Sequence, residues 1–142
     1  MCGLNGIFAY CSGSPPDETE LLATRDQMAA RGPDGAGAWW SDDRRIGLGH
    51  RRLAIIDTDE RANQPMRGGG GDRYVIVFNG EIYNLPELRD LLETKGYVFR
   101  TTSDTEALLH LYDLEGPEML GHLRGMFAFA IWDTAARSLF LA

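Results

Sequence analysis

Cysteine is scarce in this chain of 142 residues, and long apolar runs are missing. The two cysteines, Cys2 and Cys11, show no zinc-binding spacing, and the three histidines lie far from both in sequence. No apolar run approaches the roughly 20 residues that span a bilayer, and the start lacks the basic and apolar regions of a secretory signal. We therefore expect a cytoplasmic chain with reduced thiols, no metal and no membrane contact.

Positive charge is also sparse. The net charge is -7, and the basic residues form no cluster beyond the short segments "DDRR" and "HRR". This argues against nucleic acid as the main partner. Hydrophobic residues make up 44% and charged residues 25%, which is ordinary for a globular domain, and the length suits a single domain without repeats or linkers.

Glycine, proline and capping residues divide the chain into short elements. Strands are predicted at "LNGIFAY", "AWWS", "RIGLGH", "RLAIID", "RYVIVFNGEIYN", "YVFR", "GMFAFAIWD" and "SLFLA". Helices are predicted at "DETELLATRDQMAARG", from Leu85 to Lys95, and at "SDTEALLHLYDLEG". Asp17, Asn84 and Ser103 are candidate N-caps, and Ser103 forms a capping box with Glu106. The pattern predicts an α+β fold with mostly antiparallel strands.

The position of Cys2 suggests catalysis. Removal of Met1 would make it the first residue, and the new α-amine would have a pKa of about 7.7–8.0, below the roughly 8.5 of a free thiol. Such an amine can accept the thiol proton, so one residue would supply both nucleophile and base. The alternative is an ordinary reduced thiol, which we assign to Cys11.

Acyl chemistry also requires donors for an oxyanion. The Asn79 side chain and the Gly80 backbone N–H, within "FNGEIYN", could both point at one oxygen. A glycine inside a strand also indicates a bulge or a close approach of the backbone to another group. Taken alone, the Asn-Gly pair is better explained as a common turn at the end of a strand.

Charged residues that could bind an amino acid are present. Arg52, before the apolar "LAIID", could bind a carboxylate, although a surface arginine beside Arg51 is the simpler interpretation. Asp104 and Glu81 could bind an ammonium group. Asp104 also suits the first turn of a helix through the helix dipole, and both roles can hold together.

The order of these features resembles a known family. The matching segments are "MCGLNGIF", "RGPDGAG", "LGHRRLAIID", "QPM", "VFNGEIYN", "TSDTEALLHLY" and "LRGMFAFAIWD". They span nearly the whole chain, which resembles the N-terminal glutaminase domain of the class II glutamine amidotransferases. These are N-terminal-nucleophile hydrolases, and the sequence looks most like the branch found in glutamine-hydrolysing asparagine synthetases.

The resemblance implies an αββα sandwich of mostly antiparallel sheets and a set of roles. Cys2 would attack the side-chain amide of glutamine, and Asn79 with Gly80 would form the oxyanion hole. The substrate-binding residues it implies are Arg52, Leu53, Ala54, Ile55, Ile56, Asn79, Gly80, Glu81 and Asp104. Arg52 would bind the α-carboxylate, and the others would surround the α-amine and the amide. Arg31 and Asp34 of "RGPDG" would have a structural role at the mouth of the pocket.

The resemblance also implies partners beyond L-glutamine. In the family, ammonia passes through a tunnel to a C-terminal synthetase domain of the same polypeptide, which uses ATP and Mg²⁺ to convert aspartate to asparagine. This chain would contain only the glutaminase domain, over residues 1–142 and incomplete at its C-terminal end. Its open sheet edge would then favour self-association. No cofactor is expected here, because "RGGGGD" lacks the lysine and serine of a phosphate loop.

Three alternatives stay open at this stage. The acceptor could be a carboxylate other than aspartate, since specificity would lie outside this chain. The chain could be a glutamine-binding module without catalysis, or a fragment without independent function. A homo-oligomer is compatible with the sequence.

Overall fold

Two antiparallel sheets form the centre of the fold in the computed structural model, which describes residues 2–55 and 59–142. Sheet A consists of β1 (Gly3–Phe8), β2 (Gly35–Trp40) and β3 (Ile46–Arg52), arranged in the order β1-β3-β2. Sheet B consists of β4 (Met66–Gly68), β5 (Tyr74–Ile82), β6 (Gly125–Asp133) and β7 (Ser138–Leu141), arranged in sequence order.

Helices cover the outer faces of both sheets. α1 (Glu18–Asp26) packs on β1 and β3, α3 (Asp104–Glu115) packs on β4 and β5, and α2 (Leu85–Thr94) packs on α3. Two short 3₁₀ helices lie at Glu60–Ala62 and Gly116–His122. The order helix, sheet, sheet, helix confirms the αββα sandwich. Within the described residues, no helix is long and apolar enough to cross a bilayer.

Alternating side chains hold the two sheets together. Ile46 and Leu48 of β3 pack against Val75 and Val77 of β5, and all four are at most 1% exposed. Ile76, between the two valines, belongs to the core that β5 forms with α2 and α3. Burial of each such side chain contributes about 1.5–3 kcal/mol. β5 is therefore buried on both faces, which fixes the position of the residues at its end.

Local capping signals were only partly correct. Asp17 accepts from the Thr19 N–H at 2.7 Å and Ser103 accepts from the Thr105 N–H at 3.1 Å, so both predicted caps are confirmed. The capping box of Ser103 with Glu106 was wrong, because the Ser103 N–H donates to Thr101 and the Glu106 carboxylate accepts from residues before it. Asn84 is the N-cap residue of α2 as predicted, but its side chain makes no capping bond. The Asn84 amide instead spans the backbone just before β6, donating to the carbonyl of residue 122 and accepting from the N–H of residue 124, both at 2.9 Å.

Two of the predicted strands were wrong. "RIGLGH" and "RLAIID" were expected as separate strands, but a single strand ends at Arg52. The next N–H groups leave the sheet, because Leu53 donates to the Cys2 thiol and Ala54 donates to Asp34. "YVFR" is irregular, since the Arg100 N–H donates to a carboxylate rather than to a strand.

Only half of the predicted strand "GMFAFAIWD" is buried. Residues 129–133 of β6 are buried, whereas Met126 is 69% exposed and Ala128 is also exposed. The exposed half of β6 is the part that borders the cleft described below.

Candidate active site

A cleft of about 210 Å³ lies where the ends of both sheets meet the first turn of α3. The predicted site residues that line it are Cys2, Arg52, Leu53, Ile55, Asn79, Gly80, Glu81 and Asp104. Ala54 is next to the cleft but not part of its lining, and Ile56 lies outside the described residues. Folding therefore brings residues from both sheets and from a helix to one place.

Cys2 directly precedes β1, and the pairing of Gly3 with Arg51 brings it to the end of β3. Its Sγ lies 3.7 Å from the Leu53 carbonyl oxygen and accepts from the Leu53 N–H at 3.4 Å. The residue is half-buried, whereas Cys11 is exposed and lies outside the cleft. The two cysteines therefore differ in the way the sequence predicts.

The "RGPDG" loop braces this arrangement. Arg31 Nε donates to the Cys2 carbonyl oxygen at 3.3 Å. The Asp34 carboxylate accepts from the Ala54 N–H at 2.9 Å, and the Asp34 N–H donates to the Arg52 carbonyl oxygen at the same distance. The loop thus holds both the nucleophile candidate and the segment after β3, which is the kind of structural role expected of Arg31 and Asp34.

Arg52 is the last residue of β3, and its side chain is held from the segment that precedes β4. Nη1 donates to the Asp59 carbonyl oxygen at 2.9 Å and to Asn63 Oδ1 at 2.7 Å. These bonds give the guanidinium a fixed direction at the wall of the cleft. A pre-oriented guanidinium suits a carboxylate ligand.

Asn79 and Gly80 lie on β5, and of the two explanations expected for the glycine the bulge is wrong and the close approach is confirmed. The register from Tyr74 to Ile82 continues without a bulge, with Gly80 opposite Phe127. A Cβ atom at Gly80 would lie 2.3 Å from the Met126 carbonyl oxygen and 2.6 Å from the Phe127 Cα. The close approach that requires glycine is therefore that of the neighbouring strand β6.

The Gly80 N–H points away from β6. N–H groups of alternate residues in an antiparallel strand point to the same edge. On β5, the Phe78 N–H donates to Gln64 Oε1 at 2.6 Å and the Ile82 N–H donates to Asp104 Oδ2 at 3.4 Å. Gly80 lies between them in the alternation, so its N–H points to the edge that borders the cleft.

Asp104, the first residue of α3, supplies buried negative charge. It is only 6% exposed, and burial raises the pKa of its carboxyl, with the neighbouring charge of Glu81 acting in the same direction. Glu81 is exposed and lines the same cleft. A buried carboxylate beside a second one is stabilised by a cationic ligand group.

A carboxylate faces the glycine-rich loop between β4 and β5. A Cβ atom at Gly70 would lie 2.9 Å from Asp113 Oδ1. Among the residues that the structure describes, no group of three or more His, Cys, Asp or Glu side chains is placed to hold a metal ion.

Several residues of the cleft were not predicted. The cleft is also lined by Gln64, Phe78, Ser103, Thr105 and Met126. Ser103 was recognised only as a cap, and Gln64 only as part of "QPM". Glutamine is mostly exposed in proteins, so a buried glutamine indicates a role once the structure shows its partners. No periodicity or spacing in the sequence indicates that Gln64 is part of the site.

Comparisons with known proteins agree with this geometry. A family model described as a glutamine amidotransferase domain matches residues 1–142. Glutamine-hydrolyzing asparagine synthetase 1 of Bacillus subtilis is 47% identical over 135 residues, covering 94% of this chain and 21% of that protein. Glutamine-hydrolyzing asparagine synthetase 2 of Arabidopsis thaliana is 38% identical over 143 residues, covering 100% of this chain and 24% of that protein.

A solved structure shows the same fold. Glutamine phosphoribosylpyrophosphate amidotransferase from Bacillus subtilis superposes with a TM-score of 0.74 at 24% identity, covering 92% of this chain and 35% of that one. The chain spans about a quarter of the length of the curated relatives that it matches.

Proposed function

Because this chain belongs to the glutamine amidotransferase domain family, we propose that its cleft hydrolyses L-glutamine to glutamate and ammonia, with the Cys2 thiol as nucleophile. The observation that supports this most directly is the composition of one cleft. A half-buried thiol, a backbone N–H at a strand edge and a buried carboxylate line it together. An acyl-transfer site for an amino acid needs these three elements.

Recognition of glutamine would depend on the charged residues that line the cleft. The Arg52 guanidinium, directed by Asp59 and Asn63, binds the α-carboxylate of glutamine. Asp104, with Glu81 beside it, binds the α-ammonium group, whose positive charge offsets the cost of the buried carboxylate. The side-chain amide of glutamine then extends toward Cys2 and the end of β5.

The chemistry follows from these positions. After removal of Met1, the α-amine of Cys2 takes the thiol proton, and the sulfur forms a bond to the amide carbon. The Asn79 side chain and the Gly80 N–H stabilise the resulting oxyanion. The protonated amine returns its proton to the leaving nitrogen, the C–N bond breaks and ammonia departs. Water then cleaves the γ-glutamyl thioester, which releases glutamate and restores the thiol.

We further propose that the ammonia serves an amidation in the longer protein. The relatives, about four times as long, are named glutamine-hydrolyzing asparagine synthetases. By that analogy a C-terminal synthetase domain would use ATP and Mg²⁺, and aspartate would be the acceptor. Another carboxylate acceptor is the alternative within this class. No step of that reaction is assigned to the residues of this chain.

The test is glutamate release by the protein as its gene encodes it. The Cys11→Ala variant should release as much glutamate and ammonia from L-glutamine as the wild-type protein does. The Cys2→Ala variant should release neither while still binding glutamine. Equal release by wild-type and Cys2→Ala protein would refute the proposal, as would binding of glutamine without hydrolysis by the wild-type protein.

A further inference from the structure

We propose that His50 and Gln64 are positioning residues, which hold the backbone carbonyl oxygen and the N–H of Phe78 and thereby place the oxyanion donors Asn79 and Gly80. This inference rests on the proposed glutaminase function. Neither residue has a role in the chemistry described above, and both are buried polar side chains, 1% and 8% exposed.

The two backbone polar groups of Phe78 each have a side-chain partner. Its N–H donates to Gln64 Oε1 at 2.6 Å. Its carbonyl oxygen lies 3.1 Å from His50 Nε2. β4 pairs with β5 only as far as Ile76, so beyond that residue the side chains replace the missing strand partner. They fix the backbone immediately before Asn79.

These two bonds matter because, among the described residues, β5 has no strand on its cleft side after Ile76. A strand edge without ladder bonds can twist or shift. Holding the N–H and the carbonyl oxygen of Phe78 sets the direction of the next N–H on that edge, which belongs to Gly80. An error of about 1 Å in the position of a catalytic group can lower a rate by about 100-fold.

Gln64 also joins the two walls of the cleft. Because the Phe78 N–H is a donor, it must face the oxygen of the Gln64 amide, and the amide nitrogen is then directed to the other side. There it donates to Thr105 Oγ1 at 3.2 Å, on the first turn of α3 beside Asp104. The Gln64 side chain therefore connects β5, which carries the oxyanion donors, to the first turn of α3, where Asp104 would bind the ammonium group.

His50 is suited to a fixed, neutral donor role. It lies on β3 of sheet A, so its bond to Phe78 crosses between the sheets. Burial lowers the pKa of its imidazole to about 4. At neutral pH the ring is uncharged, and a carbonyl partner requires the proton to be on Nε2.

The test compares variants that keep or remove each hydrogen bond. His50→Gln can keep a donor near the Nε2 position, whereas His50→Met has no donor. Gln64→Glu keeps the acceptor for Phe78 and loses the donor to Thr105, whereas Gln64→Met loses both. His122→Met and Gln27→Met, at exposed positions, are the matched controls.

We expect kcat for glutamine hydrolysis to fall by about 10- to 100-fold in the His50→Met and Gln64→Met variants. KM should change by less than about threefold, since Arg52, Asp104 and Glu81, which would bind glutamine, are unchanged. His50→Gln should recover most of the loss, and the two control variants should match the wild type. Wild-type kcat in folded His50→Met and Gln64→Met proteins would overturn the inference, as would equal loss in His50→Gln and His50→Met.

The backbone amide resonance of Gly80 supplies a readout that needs no turnover. It should shift or broaden in the methionine variants and stay near its wild-type position in His50→Gln. An unchanged Gly80 amide in both methionine variants would overturn the inference even if the wild-type protein lacked glutaminase activity. That lack of activity would by itself refute only the proposed function.

Discussion

The Cys2 thiol is held against Leu53, a residue 51 positions away, through contacts to both its carbonyl oxygen and its N–H group. Leu53 is the first residue after β3, so the end of one strand supports the start of another. This relationship explains why Leu53 does not extend the sheet as its apolar neighbours suggest. It also places the thiol at the cleft, although Cys2 itself lies outside the helices and strands.

Gly80→Ala should destabilise the protein severely. The added methyl group would lie 2.3 Å from the Met126 carbonyl oxygen, and backbone cannot move away as a flexible side chain can. Overpacking of this kind costs about 1–3 kcal/mol or more. Thermal unfolding should show a large fall in midpoint. Gly121→Ala, where no atom lies within 4 Å of the new Cβ, should leave it nearly unchanged.

Glu106→Gln should loosen the segment before α3. The Glu106 carboxylate accepts from the N–H groups of Arg100 and Thr101 and from the Thr101 hydroxyl, at 2.6–3.1 Å. Hydrogen bonds to a charged group contribute about 1.5–3 kcal/mol each, and an amide can replace only part of them. Chemical denaturation should show a loss of about 1–3 kcal/mol. An unchanged midpoint, equal to that of the exposed control Glu93→Gln, would contradict this account.

Acid should destabilise the fold through His50 before it acts on the carboxylates. Burial lowers the pKa of the His50 imidazole from its ordinary 6.5 to about 4, so below pH 6.5 the unfolded chain binds a proton that the folded chain does not. The free energy of unfolding should therefore fall by about 3 kcal/mol between pH 6.5 and 4. Glu106, whose pKa is lowered to about 2 from 4.5, adds a loss that begins as the pH approaches 4.5 and grows at lower pH.

The measurement is urea denaturation at several pH values. His50→Gln should lose this dependence between pH 6.5 and 4.5, whereas His122→Gln should retain it. If His50→Gln and the wild type show the same slope, another group is responsible for the acid sensitivity.

Arg52→Lys should weaken glutamine binding more than it slows the reaction. Lysine keeps the positive charge but cannot make the paired bonds to a carboxylate, nor keep both contacts to Asp59 and Asn63. We expect KM to rise by about 10-fold with a smaller change in kcat, measured by steady-state glutamate release. A fall in kcat at constant KM would place Arg52 in the chemical step instead.

Much of this fold could be predicted because its signals are local. The Asp17 and Ser103 caps depend on residues two positions away, and continuous apolar runs identified β5 and β6 from their own side chains. The same holds for Cys2, whose chemistry follows from its place in the chain.

The errors have a common physical cause, which is a partner distant in sequence. Asn84 was expected to cap its own helix, but groups at residues 122 and 124 bind its amide. For Gly80 a bulge or an unspecified close approach was expected, and nothing in the sequence indicated that the approaching group is a strand more than 40 residues away. Gln64 and His50 were not recognised as part of the site, because their partners, the backbone N–H and carbonyl oxygen of Phe78, carry no sequence signal.

The central claim is that Cys2, as the first residue of the mature chain, is the nucleophile. The most direct measurement is the mass of the N-terminal peptide after brief incubation with L-glutamine and acid quenching. The account predicts a peptide that begins at Cys2 and carries a γ-glutamyl group on its sulfur. A γ-glutamyl group on Cys11, or Met1 retained in protein that releases glutamate, would contradict it.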